Sequence, residues 1–362
     1  MKASIFYQHG GLDVLKYEDV KEPRIDADEV LIRVKACAMN HLDLWLRDGL
    51  PGIKIPLPHI LGADISGIVE ECGNVVSNVK TGDEVLLAPG LGCGHCEQCL
   101  SGNDNLCRYY TIIGYMVDGG YAEYVKVPSK NVIPKPDNLT FEEASAIPLV
   151  FLTAWHMLVK RVNLKPGEVV LIHAAGSGVG SAAIQIAKML GAKVIATAST
   201  REKLKKAEEL GADFTINYQT TDFFQEVRKI TNKKGVNVVF EHTGTATWDK
   251  SVKSLATNGR LVTCGATSGY EANLNLRFLF AKHISIYGSY MGGISEVWEV
   301  IKFFKEGKLK PVIDRTLTLK EASKAHKIME SRKQFGKIIP VSYTHLRAHE
   351  TSLHLVCRLL LE

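Results

Sequence analysis

From Pro166 to Tyr290 the chain alternates short apolar, β-branched runs with amphipathic ones. EVVLIHAA leads into GSGVGSAAIQIAKMLGA, and KVIATAS into REKLKKAEELGA. DFTINY, VNVVFEHT, GRLVTCG and ISIYGSY continue the series, with FFQEVRKIT and WDKSVKSLA among them. Strands alternating with helices at this length predict an α/β fold built on a parallel, doubly wound sheet. The first strand-to-helix turn reads LIHAAGSGVGSAA over 171–183. Gly176, Gly178 and Gly180, with Ser177 and Val179 between them, let the backbone turn tightly beside a helix N-terminus. Such a turn presents unpaired N–H groups to a pyrophosphate. The context of strand, glycine trio and amphipathic helix is the one a dinucleotide site requires; the plainer reading is a tight turn.

Residues 1 to about 130 read differently. KASIFYQ, EVLIRVKACAM, ISGIVEECG, DEVLLAP and YAEYVKVP are short strands punctuated by Gly and Pro, which predicts a β-rich, barrel-like domain. Within it lies GCGHCEQCLSGNDNLC, whose Cys93, Cys96, Cys99 and Cys107 follow the spacing C-x2-C-x2-C-x7-C. Four thiolates in one short loop can converge on a tetrahedral Zn²⁺. A closed four-sulfur shell leaves no open position, so this metal is expected to be structural, one per chain. Paired cystines and an iron–sulfur cluster are the alternatives. Met1-Lys2-Ala3 runs straight into a strand pattern without signal-peptide features, which predicts a cytoplasmic protein, and cytosolic chains rarely keep disulfides. Phe141 to Val159 is expected to be helical, with Pro148 as an interruption. After Tyr290 come a helix, an extended stretch (VIDRTLTL), another helix and a closing strand ending near Ile339.

The end of the second strand of the βα series bears on the cofactor. An Asp or Glu there would bind the 2′-hydroxyl of NAD ribose. The chain instead has Ala198-Ser199-Thr200-Arg201-Glu202-Lys203. Ser199, Arg201 and Lys203 offer donors and cations to a 2′-phosphate, which predicts NADPH; the alternative is that the two cations are solvated first-turn residues. Gly265, Gly288 and Ser289 end later strands, where sheets of this kind bind ligands.

Taken together, VKACAMNHLDLWLRDG, ILGADISGIVEECG, TGDEVLLAP, the cysteine loop, GGYAEYVKVP, the Gly176–Gly180 loop and the terminal GKII resemble the medium-chain dehydrogenase/reductase superfamily, typified by zinc alcohol dehydrogenases and quinone oxidoreductases. The resemblance covers residues 1 to about 340. It implies a GroES-like catalytic domain over 1–150 with its zinc loop at 92–108, a Rossmann NADP(H)-binding domain over 151–289, and a return to the first domain over 290–341. It also implies a homodimer or homotetramer. Zinc alcohol dehydrogenases carry a second, catalytic zinc whose ligand positions here hold Asn40, Ala63 followed by Asp64, and an apolar residue near Leu149. Leu42 stands where the proton-relay Ser or Thr would be, and Trp45 where relatives often have Tyr. A catalytic zinc needs three protein ligands and an open position, so none is expected. The pattern resembles the quinone-oxidoreductase-like branch. His41, His59 and Asp64 have the right chemistry for a substitute site, though isolated histidines more often serve as hydrogen-bonding residues.

Without a metal Lewis acid, hydride transfer to a quinone or an α,β-unsaturated carbonyl is easier than reduction of a plain ketone, because the charge spreads onto a conjugated oxygen that needs only hydrogen-bond donors. NADPH-dependent reduction of such a small-molecule substrate is the expected function; an NADP(H)-dependent alcohol or aldehyde dehydrogenase of the same family is the alternative. Asn40 is the first candidate at the reacting centre, since its amide can donate to an oxyanion; otherwise it caps a helix. Asp43 orients Asn40 or serves as a cap itself. By resemblance Thr153 touches the carboxamide side of the nicotinamide, and Lys337 reaches the adenosine phosphate unless it is an exposed edge-strand lysine. The net charge of +5 is spread over both signs with no basic block, and no apolar run is long enough to span a bilayer. Neither nucleic acid nor membrane is expected as a partner. The segment 342–362 resembles the translated read-through of a sequencing adapter and is expected to contribute nothing to the fold.

Overall fold

The computed structural model describes residues 1–342; the adapter-like segment lies almost wholly outside them. Within these residues six parallel strands form one sheet in the spatial order Phe214–Asn217, Lys193–Ala198, Val169–Ile172, Val236–Glu241, Leu255–Thr263 and Ser285–Gly288. In chain order that is 3-2-1-4-5-6, the Rossmann arrangement, with a switch point between the first and fourth strands.

The strands read as near-continuous apolar runs because both faces are covered. Val170, Ile172, Val238 and Phe240 face Ala182, Ala183 and Ile186 of the helix Gly178–Met189 and Phe151 and Leu152 of the helix Pro148–Trp155. Leu171, Ile195, Val239 and Leu261 pack on the opposite side against Phe223, Val227 and Val252. The helix expected over Phe141–Val159 is divided. Phe141–Ser145 ends before Pro148, which opens a second helix as its first residue, and His156–Arg161 continues with π-type hydrogen bonding. Proline has no N–H for an interior helix bond, whereas the first helical position needs none.

The other large sheet is mostly antiparallel and is built around Glu29–Ala38, which pairs with Asp64–Cys72 and with Tyr124–Pro128. The closing strand Lys337–Val341 joins this same sheet. It lies between Glu29–Ala38 and Ile313–Thr318, and all five of its residues are buried. The sheet is therefore completed by chain from beyond the Rossmann unit, and Lys337 sits on an interior strand. No helix among the described residues is long and apolar enough to cross a membrane.

Candidate functional site: a dinucleotide cleft and a four-cysteine loop

The cysteine loop is organised around its sulfurs. Cys96 precedes the short helix Glu97–Leu100, and Cys107 follows a turn of 3-10 helix, Asp104–Leu106. The four Sγ atoms lie within 4.8 Å of one another, and Cys93 and Cys99 are 3.9 Å apart. Tetrahedral Zn–S bonds of 2.3 Å require sulfurs about 3.8 Å apart, so the set fits zinc. All four are free of disulfide bonds. Backbone N–H groups of Cys93 and Tyr109 donate to Cys107 Sγ, each at 3.4 Å, the kind of contact that favours a thiolate ligand. Among the described residues this is the one group of three or more ligand-type side chains placed to share an ion.

A cavity of about 800 Å³ opens at the C-terminal ends of the parallel strands, within the size range of small-molecule and cofactor sites. The glycine turn forms one wall. A Cβ on Gly178 would lie 2.9 Å from Val150 Cγ1, and one on Gly180 only 2.4 Å from the Ala174 carbonyl oxygen. Ser177 Oγ accepts the Gly180 N–H at 2.9 Å and caps the helix, while its first amides, Gly178 and Val179, have no partner within the helix. Three non-glycine residues that line the cavity, Ala174, Met291 and Arg332, have φ of 47°, 55° and 52°. Such strain in a left-handed region gathers where the surrounding structure fixes a binding surface. The cradle fits a nicotinamide dinucleotide.

Asn40 stands at the cavity's inner end, at the start of the helix His41–Asp48. Its side chain does not cap that helix. Asn40 Nδ2 donates to Asp64 Oδ2 at 3.0 Å, and its Oδ1 accepts from Lys337 Nζ at 2.6 Å. Asp43 fills the cap role, accepting the backbone N–H of Asn40 at 2.7 Å and that of Gly62 at 3.2 Å. Burial pushes its carboxyl up to about 6, against the pull of those amides and of Lys337. Asp43 does not itself line the cavity. Asp64 is fully buried; Oδ1 accepts the Leu149 N–H at 2.7 Å, and Oδ2 accepts Lys337 Nζ at 2.8 Å.

Lys337 is thus not an exposed edge-strand lysine. It is 3% exposed, with its ammonium between Asn40 and Asp64. Beside Asn40 and Asp64, where the resemblance would put metal ligands, lies an internal ammonium, and the side chain of Ala63 offers no metal donor. His41, His59 and Asp64 do not converge: His59 hydrogen-bonds the Gly114 carbonyl and lies off the cavity. His41 does line it, and burial together with His242, Arg332 and Lys337 pushes its imidazole down to about 4. It is neutral at pH 7.

Thr153, Gly176, Ser177, Gly178, Val179, Ser199, Lys203 and Gly265 border the cavity; Arg201, Gly180, Gly288 and Ser289 do not. Arg201 opens the helix that follows Thr200 and points to solvent. Lys203, two residues on in the same first turn, instead reaches the Arg332 carbonyl at 2.6 Å. Arg332 was not apparent from sequence, because the cleft recruits it from 129 residues further along. The same holds for His242 and Thr243. They follow Glu241, whose buried Oε1 gathers the N–H groups of His242, Thr243 and Gly244 while Oε2 accepts from Thr247 and Ser251. An acidic residue ending a buried strand before a Gly-containing turn is the signal that could have found this loop.

The fold, the cleft and the cysteine loop define a medium-chain, zinc-binding dehydrogenase, and the chain belongs to that family. Residues 26–137 match the alcohol dehydrogenase GroES-like domain and residues 178–306 the zinc-binding dehydrogenase domain. An alcohol dehydrogenase of Geobacillus stearothermophilus is 36% identical over 87% of this chain and 92% of its own length. An acryloyl-coenzyme A reductase of Sulfurisphaera tokodaii is 32% identical over 90% and 95%. The crystal structure of an NAD-dependent alcohol dehydrogenase superposes with a TM-score of 0.92 at 48% identity, covering 95% of this chain and all of that one. The protein is an oxidoreductase with a nicotinamide cofactor, of a zinc-binding family.

Proposed function

We propose that the protein reduces quinones or carbon–carbon double bonds conjugated to a carbonyl, taking hydride from NADPH, with one structural zinc in the cysteine loop and no catalytic metal. The observation that carries this reading is the ammonium of Lys337 held between Asn40 and Asp64, at the positions where, by resemblance, Asn40, Ala63 and an apolar residue near Leu149 replace the metal ligands. An electron-poor alkene conjugated to a carbonyl needs hydrogen-bond donors for its developing oxyanion rather than a Lewis acid. The acryloyl-coenzyme A reductase among the relatives acts, by its name, on such an alkene.

When bound, the reduced nicotinamide supplies the hydride. Gly176–Val179 would hold the pyrophosphate, and Thr153 faces the inner part of the cleft. Ser199, Lys203 and Arg332 border the end where a 2′-phosphate would lie, and no carboxylate ends the strand Lys193–Ala198. A second reading is an NADP(H)-dependent alcohol or aldehyde dehydrogenase; the names of two of the relatives support the alcohol dehydrogenase part of it, one of them being NAD-dependent. Association into a homodimer or homotetramer rests on the family resemblance.

A panel of quinones, enones, enoyl thioesters, aldehydes and alcohols, assayed by the absorbance of the reduced cofactor, tests the proposal. The expected result is turnover with an enone, enoyl thioester or quinone and a KM for NADPH at least about tenfold below that for NADH, equivalent to roughly 1.4 kcal/mol. Turnover confined to alcohols and aldehydes would remove the substrate assignment, and a preference for NADH would remove the cofactor assignment.

A further inference from the structure

We infer that Lys337 is a catalytic residue whose ammonium binds the substrate's carbonyl oxygen and stabilises the oxyanion formed on hydride transfer, the role a catalytic zinc plays in alcohol dehydrogenases. The inference rests on the proposed reading that the chain delivers hydride to a carbon conjugated to a carbonyl.

The backbone of Lys337 opens an interior strand, so its side chain must leave the sheet through packed protein. It runs beside the glycine turn, where a Cβ on Gly178 would meet Lys337 Cδ at 3.0 Å. It ends between Asn40 Oδ1 at 2.6 Å and Asp64 Oδ2 at 2.8 Å. An ammonium has three N–H donors. Two are accounted for, and among the described residues the third has no protein acceptor, although Lys337 borders the cavity. Asp64 is fully buried behind it and is held by the Leu149 amide. Asn40 bridges the two, its amide oxygen on the lysine and its nitrogen on the aspartate. The ammonium is held by a carboxylate that does not itself face the cavity. A cation so placed acts on a developing negative charge without reorganising.

A bound reduced nicotinamide would supply the hydride, with both electrons of its C4–H bond, to the β-carbon of the substrate. The alkene π pair moves between the α-carbon and the carbonyl carbon, and the carbonyl π pair settles on oxygen. That oxyanion accepts the free N–H of Lys337. A proton from water then bonds to the α-carbon, the carbonyl re-forms, and the products are the saturated carbonyl compound, the oxidised nicotinamide and a hydroxide that solvent protons neutralise. Lys337 keeps its protons throughout.

The test compares Lys337→Met with the double variant Asp64→Asn/Lys337→Met, which removes the carboxylate that the first variant leaves buried without its cation. Folding is followed by circular dichroism, the Kd for NADPH by fluorescence, and kcat with whichever panel member turns over fastest, so that an error in the substrate class does not obscure the result. The expected outcome is a kcat about 100-fold lower in both variants, with the Kd for NADPH within about threefold of the wild type. A Kd weakened tenfold or more with kcat retained at saturating cofactor would make Lys337 a phosphate ligand and overturn the inference. Recovery of turnover in the double variant would overturn it too, since the lysine would then only neutralise Asp64.

Discussion

Cys107→Ser will release the metal from the cysteine loop and lower the melting temperature by roughly 7 °C. Cys107 is the most buried of the four cysteines and the one that accepts backbone N–H groups from both Cys93 and Tyr109. A serine hydroxyl neither ionises at pH 7 nor matches zinc's preference for sulfur, so three thiolates remain and the closed shell is lost. Structural zinc contributes on the order of 10 kcal/mol where it organises a whole small domain. Here the loop is a small part of the protein; if about half of that reaches global stability, the shift is roughly 7 °C in a protein of this size. The damage reaches the cleft through defined contacts. Asp104 Oδ1 accepts the Ile294 N–H at 2.9 Å, and Asn105 Nδ2 reaches the Tyr290 carbonyl at 3.4 Å. Tyr290 and Met291 line the cavity. The variant should therefore raise KM as well as lower stability. Metal analysis and a thermal melt check the result; a variant with wild-type melting temperature and full metal content would contradict the structural role.

Asn40→Ala will lower kcat about 100-fold with little change in the Kd for the cofactor. The amide is the lateral support of the Lys337–Asp64 pair and borders the cavity itself. Removing it deprives the ammonium of its 2.6 Å acceptor and leaves it free to settle on Asp64 alone, away from the substrate oxygen. Loss of one preorganised donor at a developing oxyanion typically reduces kcat by 10²–10³. The helix should survive, because its N-terminal cap is the Asp43 carboxylate on the Asn40 backbone N–H, which alanine retains. A steady-state comparison of kcat with a cofactor titration separates the two effects; unchanged turnover would take Asn40 out of the chemistry.

Much of the fold was legible because its signals are local. The period of the βα series, the glycine turn and the cysteine spacing are each contained in a few tens of residues, and the six-stranded parallel sheet follows from them. Pro148 marked an interruption, and the structure makes it a boundary between two helices. The inner site was harder to read because its parts meet only in the fold. Lys337 and Asp64 are 273 residues apart, and taken alone the terminal Gly-Lys suggests a phosphate contact or an edge lysine. One clue was present: KIIPV is apolar without alternation, the mark of a strand buried on both faces. A lysine opening such a strand needs an internal acceptor, and Asp64 in the apolar run ILGADISG was the candidate. Arg201 and Lys203 show the same limit at smaller scale. Both lie in the first turn of one helix, yet only Lys203 faces the cleft, because helical neighbours two positions apart point in different directions.

The most direct test of a hydride-transfer site without a catalytic metal is the zinc content per chain, measured alongside turnover of NADPH with the best substrate of the panel. The account predicts one zinc per chain and turnover unaffected by added zinc. Two zincs per chain, with turnover lost and regained as the second is removed and restored, would contradict it.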